Sequence, residues 1–222
     1  MTEEQAQNCD KSWQRIGRNK AFSDHIQDSV CDLNDTGGIP DADFVFYVRE
    51  LDCSPEKGTL ASAAPCSGTE SLDGRPKFGR LSLCPYLLTT EDVNRHSLLR
   101  TLQHEIVHAL GFSPYYLSGL SYTDKRKTIY GFPTIIRPWK VNSNYTYDLK
   151  THTVITPKVK SFVRDHFNCS KLEGADVENE GPSGTSLVHW ERRIYGDETM
   201  SGHISRRSYF SGLTLAYFED LK

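Results

Sequence analysis

Apolar and polar positions predict several strands in the first third of the chain. Residues 43–49 form a dense β-branched and aromatic run, which predicts a buried strand. Residues 77–83 alternate apolar and polar side chains and end before Pro85, which predicts a strand with one wet face, suited to a sheet edge. Residues 53–76, rich in Ser, Gly, Pro and Ala, predict a short strand at most, and residues 11–26 predict a short helix.

A long helix is predicted from about residue 89 to residue 110. Thr89 and Thr90 can cap its N-terminus, and the acids Glu91 and Asp92 lie where the helix dipole favours them. Gly111 is a natural C-cap. Apolar residues cover most of the circumference, which predicts a buried, central helix. These residues are Leu98, Leu99, Leu102, Ile106, Val107, Ala109 and Leu110.

The pattern is weaker after residue 112. A Tyr- and Lys-rich stretch contains strand-like patches at residues 128–132 and 153–156. Residues 156–167 and 213–221 predict two further helices, and residues 168–201 look irregular. The elements together predict an α+β fold.

Composition narrows the classes of function. The chain has 222 residues, enough for one domain or for one domain divided by a cleft. A net charge of −3 disfavours a general nucleic-acid binder, which needs a basic surface. No apolar run is long enough to span a membrane.

The cysteines and sequons suggest an oxidising compartment. None of the six cysteines forms a CxxC pair, which excludes a zinc ribbon, and their wide spread suits long-range disulfides. Asn-x-Ser/Thr sequons begin at Asn34, Asn144 and Asn168. Residues 1–7 do not resemble a signal peptide. We therefore expect either a part of a secreted precursor or a cytosolic chain with free thiols.

A metal-binding motif lies near the end of the long predicted helix. His104 and His108 are four residues apart, so both imidazoles project from one helix face and can bind one ion. Glu105 follows the first histidine, where its carboxylate can accept a proton from a water. Catalytic zinc uses neutral imidazoles and keeps one position open. The spacing therefore favours a zinc hydrolase over two histidines satisfied by neighbouring side chains.

A third ligand must come from elsewhere in the chain. The HExxHxxGxxH pattern would place it at residue 114, but Pro114 cannot bind a metal. A thermolysin-like site needs a helical Glu, and none follows the motif closely. His189 is the best candidate, since it lies in a Val-His-Trp-Glu-Arg segment eleven residues before Met200. The other histidines after the motif are His152, His166 and His203.

These motifs resemble the leishmanolysin family of metzincins, including its animal, invadolysin-like members. That family has an HExxHxxGF motif, an insertion of several dozen residues, a His-Trp-Glu segment and then a Met-turn. The local matches extend from about residue 40 to the end of the chain. They comprise residues 43–48, 59–66, 74–79, 104–112, 153–159, 172–174, 178–181, 189–193 and 213–216.

The resemblance implies a site with one zinc ion per chain. It implies His104, His108 and His189 as the ligands, Glu105 as the general base, and Met200 as a thioether packed beneath the metal. Some metzincins have a Tyr two residues after this Met. The chain has a Gly there, so oxyanion stabilisation would depend mainly on zinc and backbone groups.

The implied fold is a metzincin-type zincin of the α+β class. Residues 1–111 would form an N-terminal catalytic subdomain with a twisted mixed sheet and the active-site helix. Residues 112–222 would form a largely irregular C-terminal subdomain across a cleft, with the insertion, the third ligand and the Met-turn.

The resemblance also bears on disulfides and compartment. It implies the pairs Cys31–Cys66 and Cys53–Cys84, and an unpaired Cys169 whose family partner would lie beyond residue 222. It further implies a longer precursor, secreted or membrane-associated, of which this chain covers the catalytic region. The lack of a signal peptide leaves a cytoplasmic location open, and the chain shows no membrane anchor.

The implied function is a zinc metalloendopeptidase that acts on proteins or peptides. Glu105 would take a proton from a zinc-bound water, and an extended substrate would pair with residues 77–83 at a sheet edge. A catalytically silent adhesion or binding module is the main alternative, and it would be marked by loss of Glu105 or a ligand. A structural zinc protein would need a fourth Cys or His, and no Cys lies in the helix or beside His189.

Overall fold

The computed structural model describes residues 42–51, 60–66, 74–85, 92–181, 184–203, 205 and 207–221. This part of the chain is mixed α+β, as the sequence predicts. The chain divides into two compact units, Met1–Thr90 with His108–Gly111, and Glu91–Val107 with Phe112–Lys222. The helix predicted at residues 11–26 lies outside the described residues. Within the described ranges, every helix is too short or too polar to cross a lipid bilayer.

The first unit contains a mixed three-stranded sheet. Its strands are β1 (Val45–Glu50), β2 (Ala61–Pro65) and β3 (Phe78–Leu83). The spatial order is β1-β3-β2, with β3 parallel to β1 and antiparallel to β2. The strands predicted near residues 43–49 and 77–83, and the short strand within residues 53–76, are confirmed.

The position predicted for β3 is wrong. This strand is central and paired on both sides, so the peptide-binding edge assigned to residues 77–83 does not exist. Its presumed wet face is covered, because Ser82 is 3% exposed and its hydroxyl accepts a hydrogen bond from Arg49 Nε at 2.9 Å. Gly79 also marks a close approach, since a Cβ there would lie 2.8 Å from Ala109 Cβ. Strand β1, predicted as buried, is half-buried, with Val48 47% exposed.

The long helix α1 spans Asp92–Ala109 and confirms the predicted element. It ends at Gly111, whose φ of +124° suits glycine, and whose N–H donates to the His108 carbonyl at 3.1 Å. The threonines expected to cap its start lie outside the described residues. Burial is restricted to its second half, because residues 95–97 are exposed and Leu99 is 49% exposed. The expectation of a helix buried all round is therefore wrong.

The second unit has more regular structure than the sequence predicts. It contains two antiparallel sheets. The first pairs β4 (Ser121–Asp124) with β5 (Lys127–Tyr130). The second has three strands in the spatial order β6 (Thr134–Lys140), β7 (Thr146–Val154) and β8 (Ala175–Val177). The helices are α2 (Pro114–Gly119), α3 (Pro157–His166), α4 (Arg192–Tyr195) and α5 (Gly212–Asp220). The helices predicted at residues 156–167 and 213–221 are confirmed as α3 and α5. The expectation of a largely irregular C-terminal part is wrong.

Three aromatic side chains with no exposed surface form the centre of the second unit's core. Phe112 lies 4.9 Å from Trp190 and 4.8 Å from Tyr217, measured between ring centroids. Aromatic residues contribute the largest buried areas in a core. Since Trp190 directly follows His189, this core fixes the backbone that carries one of the predicted ligands.

The cysteines agree with part of the predicted pattern. Cys66 and Cys84 are both disulfide-bonded and 2% exposed. Their predicted partners, Cys31 and Cys53, lie outside the described residues, so the two pairings stay predictions. Cys169 is free, which confirms that expectation.

Candidate metal centre

Three histidines come together in space as a potential metal-binding group. His104 and His108 lie one turn apart on α1, and His189 comes from the segment before α4. One ring nitrogen from each lies within 4.8 Å of the others. Elsewhere, the His152 ring contacts Phe132 and the His166 ring stacks on Phe162. The group therefore contains the three histidines that the sequence favours as ligands.

Backbone carbonyls fix the orientation of two of these rings. His104 Nδ1 lies 2.6 Å from the Thr199 carbonyl oxygen, and His189 Nδ1 lies 2.8 Å from that of Thr185. A carbonyl can only accept, so each Nδ1 must carry the proton and donate it. In the neutral ring, each Nε2 is then left with its lone pair.

The two Nε2 lone pairs converge on one point. His104 Nε2 and His189 Nε2 are 3.1 Å apart. Two acceptors at this distance repel each other unless a cation or a proton lies between them. Two nitrogens bound to tetrahedral zinc at about 2.0–2.1 Å would be separated by about 3.4 Å. The arrangement therefore fits a metal ion held by imidazole nitrogens.

Burial keeps the rings in the form that binds metals. His104 is 4% exposed and His189 is 7% exposed. Burial, followed by the proximity of His189, lowers the pKa of His104 to about 4, although the Thr199 carbonyl opposes the shift. Burial also lowers the pKa of His189, against the effects of the Thr185 carbonyl and Glu178. Both rings are therefore neutral near pH 7, as coordination requires.

Glu105 lies beside His104 on α1, in the half of the helix that is buried. It is 8% exposed, so its carboxylate is held in a region with little water. A buried carboxylate beside a group of metal-binding imidazoles is the arrangement that metal-assisted hydrolysis uses for proton transfer.

The turn around Met200 supports His104. Met200 is fully buried, its N–H donates to the Glu198 carboxylate, and its carbonyl accepts from the Trp190 N–H at 2.8 Å. Thr199, whose carbonyl contacts His104, lies between Glu198 and Met200 in the sequence. This turn therefore places the Thr199 carbonyl, which orients His104, next to the buried thioether of Met200.

Gly202 packs directly against residues 185–189, the segment that carries His189. A Cβ at this position would lie 2.8 Å from the Thr185 methyl carbon and 3.8 Å from His189 Cγ. The sequence identifies this glycine only as a departure from a Tyr found in some metzincins. The structure shows that its lack of a side chain leaves room for the residue whose carbonyl binds His189.

Sequence reasoning missed three groups in this arrangement. The carbonyls of Thr185 and Thr199 have no side-chain signature, because every residue has a backbone carbonyl oxygen that can accept a hydrogen bond. Glu198 is visible in the sequence near Met200, whose N–H it accepts from, but its other partners, Ser211 and Thr214, lie 13 and 16 residues further along the chain. A pattern confined to short range could not have found it.

The sequence of this chain is similar to that of known peptidases over most of its length. The sequence profile of the leishmanolysin family, peptidase family M8, matches residues 7–222. The leishmanolysin-like peptidase of Caenorhabditis elegans is 34% identical over 250 residues, covering 96% of this chain and 37% of the relative. The leishmanolysin-like peptidase of Drosophila melanogaster is 37% identical over 208 residues, covering 82% of this chain and 30% of the relative.

A more distant relative is leishmanolysin of Leishmania major. It is 29% identical over 188 residues, covering 84% of this chain and 27% of the relative. The chain thus spans about a quarter to two-fifths of the length of these curated relatives. Because the family profile matches nearly the whole sequence, the chain belongs to the leishmanolysin (M8) family of peptidases.

Proposed function

We propose that this chain forms the catalytic region of a zinc metalloendopeptidase. The observation that carries the proposal is the convergence of His104 Nε2 and His189 Nε2, each oriented by a carbonyl on its Nδ1. His104, His108 and His189 would hold the ion, which leaves a fourth position for water or substrate. The family profile supports this assignment over a closed structural zinc site.

The protein groups would then divide the remaining tasks. A bound zinc ion would polarise the scissile carbonyl and acidify a water molecule. The Glu105 carboxylate would accept the proton from that water and return it to the nitrogen of the leaving amine. The carbonyls of Thr185 and Thr199 would keep the ligand rings in one orientation throughout, because neither has to move during the reaction.

We expect the substrate to be a protein or peptide in an extended conformation. Since β3 is central, β1 and β2 are the edge strands of the described sheet, and we propose that the substrate pairs with β2 (Ala61–Pro65), which runs antiparallel to β3. An added peptide strand would gain main-chain hydrogen bonds with little demand on sequence. Substrates N-methylated at single positions should lose kcat/KM at alternate positions, and uniform tolerance of methylation would contradict this binding mode.

The disulfide-bonded state of Cys66 and Cys84 favours an oxidising compartment. We therefore propose that the protein acts outside the cytosol. Comparing the thiol content of the protein from its natural source with and without reductant tests this. Free thiols at both positions would contradict it.

The decisive experiment measures bound metal and peptide hydrolysis on the same preparation. We expect about one zinc per chain, loss of hydrolysis with a chelator and recovery on adding zinc. The His189→Ala variant should lose both zinc and activity. His152→Ala is the matched control, because His152 packs against Phe132 and lies outside the metal-binding group.

Two results would contradict the proposal. Wild-type zinc content in His189→Ala would remove this residue from the ligand set. Full zinc content without hydrolysis of any peptide in a broad substrate library would favour a catalytically silent binding module instead.

A further inference from the structure

Glu198 is a buried carboxylate that the proposed reaction does not use. It is 1% exposed and accepts four hydrogen bonds. The donors are Met200 N–H, Ser211 N–H at 3.3 Å, Ser211 Oγ at 3.0 Å and Thr214 Oγ1 at 2.6 Å. Burying an ionisable group in a protein core is costly, so a carboxylate retained there needs strong compensating contacts. These four donors supply them.

The carboxylate joins the start of α5 to the turn that supports His104. Ser211 caps α5 and Thr214 lies in its first turn, whereas Met200 belongs to the turn. Thr199, between Glu198 and Met200, directs its carbonyl to His104 Nδ1 at 2.6 Å. The position of this carbonyl therefore depends on the contacts made on either side of it.

A second path leads from the same carboxylate to His189. The Thr214 hydroxyl, which donates to Glu198, accepts from Trp190 Nε1 at 3.0 Å. The Trp190 N–H donates to the Met200 carbonyl at 2.8 Å. Trp190 is adjacent to His189, so the backbone of this ligand is tied to the same network.

We propose that Glu198 is a positioning residue for the metal centre, which sets the relative placement of His104 and His189 through Thr199 and Trp190. The inference rests on the proposed zinc site. Its physical basis is that outer-shell contacts which orient ligand imidazoles typically change metal affinity 10- to 100-fold when they are removed. Glu198 does not contact an imidazole ring. It acts indirectly, by fixing the position of the Thr199 carbonyl that orients His104.

The carboxylate is suited to this role because it can only accept. All four groups around it are donors in this arrangement. A glutamine would present its own amide hydrogens to at least one of those donors, so one contact must break and the turn must shift. The Glu198→Gln variant therefore changes the hydrogen bonding with almost no change in side-chain volume.

Asp220 provides a matched control for the structural role of such a carboxylate. It lies at the end of the same helix, α5, and accepts from the N–H groups of Lys158 and Val159 at 2.8 and 3.1 Å. Asp220 thus joins α5 to the start of α3, just as Glu198 joins the other end of α5 to the turn around Met200. No described contact of Asp220 leads to one of the three histidines, so Asp220→Asn, which replaces a charged acceptor by a neutral one, tests weaker anchoring of α5 alone.

The experiment compares the wild-type protein with Glu198→Gln and Asp220→Asn. Zinc affinity is measured by competition with a chromophoric chelator, ligand geometry by the visible spectrum of the cobalt(II)-substituted protein, and stability by thermal unfolding of the metal-free protein. We expect Glu198→Gln to weaken zinc binding 10- to 100-fold and to alter the cobalt spectrum. Asp220→Asn should lower Tm while leaving zinc affinity and the cobalt spectrum unchanged.

Milder variants keep the test decisive if Glu198→Gln does not fold. Ser211→Ala removes the Oγ donor but keeps the N–H donor, and Thr214→Val removes the hydroxyl that links Glu198 to Trp190. Each should weaken zinc binding by a smaller factor. Wild-type zinc affinity and an unaltered cobalt spectrum in every folded variant of Glu198, Ser211 and Thr214 would overturn the inference but leave the zinc site intact. Failure of the wild-type protein to bind zinc would instead overturn the proposed function, and this inference with it.

Discussion

The Gly202→Ala substitution tests whether metal affinity depends on the close packing of Gly202 against the segment that carries His189. The added Cβ would lie 2.8 Å from the Thr185 methyl carbon, about 0.6 Å closer than the 3.4 Å at which ordinary contact begins. That methyl carbon is also close to Gly181, where a Cβ would lie 3.3 Å away. Two glycines, Gly181 and Gly202, thus lie beside the Thr185 methyl group, and the carbonyl of the same Thr185 accepts from His189 Nδ1 at 2.8 Å.

The expected magnitude follows from these distances. Overpacking a close contact typically costs about 1–3 kcal/mol, and replacing glycine by alanine recovers about 0.4–1 kcal/mol from the unfolded state. We therefore expect the free energy of unfolding to fall by about 1–2 kcal/mol. Because the displaced residue supplies the carbonyl that orients His189, zinc affinity should fall by about 10-fold or more.

The assay combines chelator competition for zinc with urea unfolding of the metal-free protein. Gly119→Ala is the control, since a Cβ there meets no heavy atom within 4 Å. It should leave zinc affinity unchanged and raise the free energy of unfolding by about 0.4–1 kcal/mol. Thr185→Ser removes the methyl carbon that Gly202→Ala would strike but keeps the carbonyl. A variant that combines Gly202→Ala with Thr185→Ser should thus recover most of the zinc affinity that Gly202→Ala alone loses.

Two outcomes would refute this reasoning. Wild-type zinc affinity in Gly202→Ala would show that the turn adjusts without moving His189. Failure of Thr185→Ser to rescue the affinity would show that the loss does not come from the contact with the methyl carbon.

Three further predictions concern catalysis, disulfides and the core. Glu105→Gln should retain zinc but lower kcat by about 10²–10⁴-fold, because the amide cannot accept the proton, and wild-type turnover would exclude Glu105 as the base. Reducing the disulfides of Cys66 and Cys84 should lower the free energy of unfolding by about 2–5 kcal/mol, and an unchanged Tm in reductant would count against a stabilising role. Phe112→Ala should cost about 3–5 kcal/mol because its ring is fully buried between two other aromatic rings, and a loss under 1 kcal/mol in urea unfolding would contradict this.

The features that could be predicted from the sequence are local ones. The pair His104 and His108 needs only helical spacing, and Gly111 at the end of α1 needs only its freedom to adopt positive φ. Helices α3 and α5 have similar local signals at their starts, Thr156 with Pro157 and Ser211. The choice of His189 depended on its Val-His-Trp-Glu-Arg segment before Met200 and on the family resemblance, because no local rule connects residues 85 positions apart.

The missed features depend on contacts between distant parts of the chain. In the sequence, Gly79 and Ser82 look like positions that an edge strand could leave open to water. In β3 they lie on opposite faces, and each occupies a place where a neighbouring element comes close. Strands β4 to β6 were largely missed because most of their side chains are exposed, so both faces contain polar residues and no alternation results. Period-two patterns report burial of one face, not strand formation itself.

The same distinction explains how the candidate site is built. The residues that would contact the metal can be recognised, because their chemistry restricts them to a few side-chain types. The groups that orient two of these side chains are the carbonyls of Thr185 and Thr199. The position of Thr185 depends on the space left by Gly202, and that of Thr199 on the contacts of the Glu198 carboxylate. The contacts with these two carbonyls hold His104 Nε2 and His189 Nε2 3.1 Å apart, close to the spacing that a shared zinc ion requires. Zinc affinity at this site would therefore be coupled to the stability of the turn around Met200.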